Sequence, residues 1–229
     1  MALYLIPTVI AEGANNTIPP QVLSVLPSIR IFLVENVRTA RRFLSSLKIY
    51  DSIEALTFHV LDKDTQDVGA LMSSISQNNI GVISESGCPG VADPGALAVA
   101  YAHANNIQVI PLVGPSSLLM ALMSSGLSGQ QFVFHGYLPI DAKQAADSLR
   151  TMEKESKKKS QTQIFIETPY RNNQMFDLLL KTLQKSTLLT VAIDITGKQE
   201  SIRTLPIAKW LSAKHIWPKE PAVFLFLAT

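Results

Sequence analysis

Ser84–Gly95 reads SESGCPGVADPG, and the rest of the chain is organised around it. Before it stands Ile80-Gly81-Val82-Ile83, a short run rich in β-branched residues. After it comes Ala96–Asn105, apolar, alanine-rich and free of proline. This pattern predicts a strand, a glycine-rich turn and a helix, the geometry of a ligand site at the C-terminal end of a parallel strand. Gly87, Gly90 and Gly95 permit positive φ or close approach of backbone to a ligand. Pro89 and Pro94 stiffen the loop, and Pro94 suits the first turn of the following helix. Such a loop is pre-shaped and grips a small polar ligand at little ordering cost. Its glycine spacing, G-x-x-G-x-x-x-x-G, is not the G-x-G-x-x-G of dinucleotide sites. No G-x-x-x-x-G-K-[ST] occurs either, so a dinucleotide or P-loop triphosphate is disfavoured.

Working outward, strand and helix patterns alternate. Strands are predicted at Ala2–Ile6, Ile29–Val34, Leu56–Leu61, Ile80–Ile83 and Gln108–Leu112. Helices are predicted at Gln21–Leu26, at Arg38–Leu47 capped by Asn36, from Asp64 or Thr65 through Gln77, and at Ala96–Asn105. Alternation of this kind implies a parallel sheet with right-handed crossovers. A second glycine turn, Val113-Gly114-Pro115-Ser116-Ser117, follows the fifth strand and falls on the same sheet edge as the first. The helix Leu118–Ser125 comes next, and Gly126–Gln130 looks like a boundary.

The second half predicts strands at Phe132–His135, Gln163–Ile166, Leu189–Ile193, Ser201–Leu205 and Ala222–Ala228. It predicts helices at Ala142–Lys159, Asn172–Lys185 and Pro206–Ala213, and a turn at Gly136–Pro139. This half reads as a second α/β layer with a mixed sheet. The expected organisation is therefore an α/β protein of two domains, residues 1–115 and 116–229.

Composition bounds the function. Of 229 residues, 47% are apolar and 17% charged, which excludes disorder as the main state. A formal charge of +2 does not by itself argue for nucleic acid or an anionic membrane. The single cysteine, Cys88, excludes an internal disulfide and fits a reducing compartment. The opening MALYLIPTVIAEG lacks a basic leader, and no run approaches the roughly 20 apolar residues of a membrane span. A cytoplasmic protein with no membrane partner is expected.

The motifs resemble those of the tetrapyrrole methylase superfamily and, within it, the ribosomal RNA small subunit methyltransferase I branch. Ser84–Gly95 resembles the loop S-D-A-G-x-P-x-x-x-D-P-G of that family. Four more segments agree in order: Leu3–Pro7, Gly114–Ser117 (family P-G-P-S), Phe134–Pro139 (F-x-G-F-L-P) and Phe165–Arg171 (F-Y-E-x-P-H-R). The resemblance implies two α/β domains, a parallel N-terminal and a mixed C-terminal sheet, with S-adenosylmethionine in the cleft between them, and a homodimer. By position, Gly87, Cys88, Pro89, Gly90, Val91 and Asp93 would line the methionine side. Ser116 and Ser117 would approach from the second turn, and Ile166 and Ile195 would flank the adenosine. The acceptor implied is a ribose 2′-hydroxyl of ribosomal RNA in the small subunit.

Departures fall mostly on the substrate side. Ala11–Ile18 replaces G-N-L-x-D-I-T, Glu35-Asn36-Val37-Arg38 replaces E-D-T-R, and Ile140-Asp141-Ala142-Lys143 reduces a basic stretch. The family's C-terminal extension has no counterpart in these residues. A tetrapyrrole or other small-molecule acceptor therefore stands beside the RNA reading, as does a non-catalytic module that binds S-adenosylmethionine.

Methyl transfer from a sulfonium is an in-line displacement that needs orientation rather than a metal. Removing a proton from a hydroxyl acceptor invites a carboxylate. Glu85, Asp93, Glu167 and Asp194 stand at predicted strand ends or in loops, and Glu85, Glu167 and Arg171 are the candidate catalytic residues. Each has a structural reading beside it. Asp93 suits an Asx-turn before Pro94. Glu167 and Arg171 form an ion pair, or Arg171 meets a substrate phosphate. Arg38 is a phosphate contact or a solvated charge. Cys88 fits a small loop residue better than a nucleophile, having no partner base nearby. His59 and His135 read as packed strand residues, without metal-ligand spacing, so no metal is expected. The run Lys154–Lys159, with Glu153 and Glu155, is a solvated helix end or a contact for RNA backbone.

Overall fold

The computed structural model describes residues 1–61, 68–75, 78–212 and 215–229. Backbone contacts divide the chain into two units, Met1–Ser116 and Ser117–Thr229.

In the first unit, Ala2–Ile6 (β1), Ile31–Val34 (β2), Thr57–Val60 (β3), Ile80–Ile83 (β4) and Gln108–Pro111 (β5) form an all-parallel sheet ordered β3-β2-β4-β1-β5. The helices are Pro20–Val25 (α1), Val37–Ser46 (α2), Val68–Ser74 (α3) and Gly95–Ala104 (α4). Successive strand residues serve opposite faces, as the pleat requires. Ile6, Phe32, Val34 and Ile83 pack with Val22 of α1 and with Phe43 and Leu44 of α2. Leu3, Leu33, Ile80 and Val82 pack with Met72 of α3 and with Ala98 and Ala102 of α4. A parallel sheet covered on both faces needs near-continuous apolar strands, and β4 is buried at every position. Gly81 in β4 makes room for its neighbours: a Cβ there would stand 2.6 Å from Ile6 Cδ1 and 2.8 Å from Phe32 Cδ1.

Two boundaries differ from expectation for local reasons. Strand β2 begins at Ile31 rather than Ile29, because Leu26–Ser28 forms a 3-10 turn in which Ile29 N–H donates to Leu26 O at 2.9 Å. Helix α2 begins at Val37, one residue before the expected Arg38, directly after its expected cap: Asn36 Oδ1 accepts the amides of Arg38 and Thr39 at 2.9 and 3.2 Å. The expected helix ends at Asp64 or Thr65 and at Gln77, and the expected end at Ala213, lie outside the described residues.

The second unit comprises Ser117–Ser125 (α5), Phe132–Tyr137 (β6), Ala142–Lys159 (α6), Thr162–Glu167 (β7), Asn172–Thr182 (α7), Leu188–Ile193 (β8), Ser201–Pro206 (β9), Ile207–Trp210 (α8) and Ala222–Leu227 (β10). Its mixed sheet is ordered β6-β7-β10-β8-β9, with only β6 and β7 parallel. Helices α6, α7 and α8 bury Leu149, Met152, Phe176, Leu179 and Trp210 on one face, against Phe165, Val191, Phe224 and Phe226. Helix α5 is joined to β9 by Thr204, whose hydroxyl donates to Ser125 O at 2.7 Å. Gly126–Gln130 connects α5 to β6 inside this unit.

Gly136–Pro139 is not a plain turn. Gly136 at φ +67° lies in β6, where the register against β7 shifts between Phe134 and Tyr137, so the glycine bends the strand instead of ending it. His135 corrects another expectation: it is exposed on this edge strand, its Nε2 2.8 Å from Gln163 Oε1, while His59 is half-buried.

Glu153, read as part of a charged run, is buried instead. Its Oε1 accepts Gln184 N–H at 2.8 Å and the Thr187 hydroxyl at 2.5 Å, joining α6 to the segment before β8. Removing it leaves the buried Thr187 hydroxyl and the part-buried Gln184 amide without an acceptor, so Glu153→Ala is expected to cost about 2–3 kcal/mol. Glu153→Gln keeps an acceptor oxygen and is expected to cost less than about 1 kcal/mol. Urea unfolding of the two variants measures the difference.

Candidate functional site

Three strand ends meet at the C-terminal edge of the first sheet, because β1 lies between β4 and β5. From β1 come Pro7 and Thr8, from β4 the loop Ser84–Gly95, and from β5 the turn at Gly114 and Pro115. Thr8 N–H donates to Gly87 O at 2.9 Å. The Ser84 hydroxyl faces Ser86 O and Gly87 O at 3.2 and 3.3 Å. The Cys88 thiol donates to Pro115 O at 3.3 Å, which fastens the first glycine turn to the second. Gly114 rests on the Pro7 ring so closely that a Cβ would stand 2.1 Å from Pro7 Cβ.

Within the loop, Gly87 and Gly90 adopt φ of +72° and +85°, the left-handed region that side chains disfavour. The Asp93 carboxylate accepts the Gly90 amide at 2.8 Å and the Gly95 amide at 2.7 Å. Burial raises its pKa above the ordinary aspartate value, outweighing the opposing pull of these backbone donors. Asp93 thus holds the loop's shape. Burial also raises the Cys88 thiol, and the Asp93 charge adds to it, the reverse of what activates a cysteine nucleophile. Pro89 is buried, Val91 is exposed and Ser116 is half-buried. Space beside Gly90 is open: a Cβ built there meets no heavy atom within 4 Å.

The candidate catalytic side chains separate sharply. Glu85 is exposed at the end of β4, its Oε1 3.5 Å from the Thr39 hydroxyl. Glu167, in the second unit, has a side chain with no exposed surface. Its Oε1 accepts Thr168 N–H at 2.7 Å and its Oε2 lies 3.3 Å from Arg171 Nη2. That Arg171 nitrogen also donates to Pro139 O at 3.2 Å. The pair holds two loops together, with the Glu167 side chain enclosed. Arg38 is exposed on the first turn of α2.

Ser117 opens α5. Ile166 is half-buried in β7, and Ile195 is 3% exposed in the turn after β8. Both stand at one sheet edge with β10 between them, since Ala222 pairs with Glu167 and Ile193 alike. Asp194, at φ +51°, accepts Gln199 N–H at 2.7 Å and shapes this turn. Among the described residues no group of three or more His, Cys, Asp or Glu could hold a metal ion, and no helix is long and apolar enough to cross a membrane.

The chain is 32% identical over 211 residues to the ribosomal RNA small subunit methyltransferase I of Vibrio cholerae, a match covering 92% of this chain and 70% of the relative. It belongs to the ribosomal RNA small subunit methyltransferase I family. The Escherichia coli O157:H7 member is 29% identical, over 95% of this chain and 72% of its own length. No family model matches the chain. A solved structure of uroporphyrin-III-C-methyltransferase from Thermus thermophilus resembles it in fold, with a TM-score of 0.56 and 14% identity over 99% of this chain and 91% of that one.

For this member of the ribosomal RNA small subunit methyltransferase I family, sequence reading missed Pro7 and Thr8 as parts of the strand-end site. Their signal was the fit between a proline after β1 and a glycine after β5, which shows only once the strand order is known. Asn172 was also missed. It is fully buried at the start of α7, with Nδ2 donating to Glu220 O at 2.6 Å.

Proposed function

We propose that the chain transfers a methyl group from S-adenosylmethionine to a ribose 2′-hydroxyl of small-subunit ribosomal RNA. The observation that carries this reading is the 32% identity to a ribosomal RNA small subunit methyltransferase I over 92% of the chain. The strand-end loop supports it. Gly87–Val91 are held from behind by Thr8, Asp93 and Pro115, and the space beside Gly90 is open. A fastened, backbone-lined surface of this kind suits the methionine part of the cofactor, with Ser116 beside it.

When bound, S-adenosylmethionine supplies an electrophilic methyl group on a sulfonium. The chain's own task is to orient that group against the acceptor, and orientation alone can contribute about 7–11 kcal/mol to such a displacement. Rigidity of the loop serves that task, because little freedom remains to be lost on binding. Of the three candidate catalytic side chains, Glu85 is the exposed carboxylate; Glu167 and Arg171 shape the second unit's loops. We also propose that the chain works as a cytoplasmic homodimer, in line with the family resemblance.

Calorimetry with S-adenosylmethionine tests the cofactor assignment, and labelled-methyl transfer to small ribosomal subunits from cells lacking the enzyme tests the acceptor. Saturable binding with incorporation into ribosomal RNA is expected. Binding without incorporation points to a small-molecule acceptor or a non-catalytic module. Gly90→Val is expected to weaken cofactor binding at least tenfold, by placing a side chain on the loop surface and straining a left-handed backbone position. Unchanged affinity in that variant would remove the loop from the site.

A further inference from the structure

Tyr170 is 84% exposed in the turn between β7 and α7, although a large aromatic ring in water forgoes substantial burial. Ile140, in the loop after β6, and Ile216, in the segment before β10, are 83% and 87% exposed. The ring is not on a loose loop. Arg171 ties its segment to the loop after β6 through Pro139 O, and is itself paired to the enclosed Glu167. A third segment is fastened by α7: Asn173 Nδ2 donates to Trp217 O at 3.1 Å, and Trp217 N–H donates to Asn173 Oδ1 at 2.8 Å. That segment carries Lys219, whose Nζ lies 5.9 Å from the Tyr170 ring centroid.

We propose that Tyr170 is a stacking platform for an unpaired base of the RNA substrate, with Lys219 meeting the adjoining phosphate; this rests on the RNA acceptor proposed above. A rigidly mounted ring that is 84% exposed even with an ammonium over it is what single-stranded RNA recognition uses: a base stacks on the uncovered face and the ammonium neutralises the backbone. Of the carboxylates in these segments, Glu167 is enclosed and paired, Asp141 caps α6 by accepting Gln144 N–H at 2.9 Å, and Glu220, next to Lys219, is half-buried. A rigid mount also lowers the ordering penalty of binding. Tyr170 here acts as a positioning residue, presenting the substrate strand rather than touching the reacting atoms.

The test uses the full chain and a single-stranded RNA oligonucleotide carrying 2-aminopurine, whose fluorescence is quenched by stacking. The wild-type chain is expected to quench it. Tyr170→Phe is expected to retain both quenching and affinity, and Tyr170→Ala to lose about tenfold in affinity. Lys219→Ala is expected to reduce the slope of log affinity against log salt by about 0.7. Calorimetry with S-adenosylmethionine should give the same affinity for all these variants, which shows that they are folded. Absence of quenching by the wild-type chain overturns the platform, as does equal affinity in Tyr170→Ala or equal loss in Tyr170→Phe. A change of sedimentation in Tyr170→Ala with RNA affinity intact overturns it in favour of a second copy of the chain as the ring's partner. Tyrosine-dependent RNA binding without methyl transfer to small subunits upholds the platform and rejects only the acceptor.

Discussion

Gly114→Ala is expected to lower affinity for S-adenosylmethionine more than a hundredfold and to destabilise the chain by about 3 kcal/mol. The added carbon would stand 2.1 Å from Pro7 Cβ and 2.2 Å from Pro7 Cγ. Neither atom can swing away, because the proline ring is closed on its own backbone. The two strand ends must therefore part, although Leu112 N–H donates to Leu5 O at 3.0 Å beside them. Parting them disturbs the loop as well, since Thr8 follows Pro7 and holds Gly87 O, while Pro115 follows Gly114 and receives the Cys88 thiol. One methyl group thus acts on the binding surface through its supports. Gly129→Ala is the control: its Cβ meets nothing within 4 Å, and a change of less than about 0.5 kcal/mol is expected. Calorimetry and urea unfolding of the two variants make the comparison. Wild-type cofactor affinity in Gly114→Ala would show that the junction of β1 and β5 does not support the site.

Trp210→Ala is expected to destabilise the second unit by about 3–5 kcal/mol. The indole is wholly buried, and its Nε1 donates to Leu189 O at 3.0 Å. Phe176 meets it edge-on with centroids 5.5 Å apart, and Trp217 and His215 complete an aromatic group. Removal leaves a large cavity together with a lost hydrogen bond, and closely packed neighbours relax only partly into such a void. Trp210→Phe keeps part of the ring and is expected to cost distinctly less. Trp217, the other tryptophan of the chain, reports the unfolding by fluorescence. Equal stability of Trp210→Ala and wild type would mean that this aromatic group does not hold α8 to the sheet.

The architecture was legible where the sequence carries strong local pattern. Ile80–Ile83 followed by three glycines and two prolines announced a strand and a shaped loop, and Asn36 announced the start of α2. Helix α6 runs over the expected Ala142–Lys159. What was hidden depends on partners remote in sequence. Glu153 sits among lysines and reads as solvated, yet the donors its carboxylate accepts from lie 31 and 34 residues away. The enclosure of Glu167 shows only in the fold, and His135 looked packed until β6 proved to be an edge. The bend at Gly136 required the register with β7. For the site, the glycine loop could be read from residue type and spacing. Its clamps could not, since Thr8 and Pro7 are ordinary residues until β1 is placed between β4 and β5.

Strand β10 occupies the middle of the second sheet, yet it is the last of that sheet's strands in chain order. A ribosome making this chain releases β6 with β7, and β8 with β9, before residues 222–227 emerge. Until then the nascent sheet is two ribbons whose inner edges lack a neighbour, an arrangement open to mispairing with other chains. Phe224 and Phe226 arrive with the closing strand, so most of this unit's cohesion is gained in one late step. Translation arrested before residue 222 would leave a fragment without its keystone, and such fragments should depend heavily on chaperones.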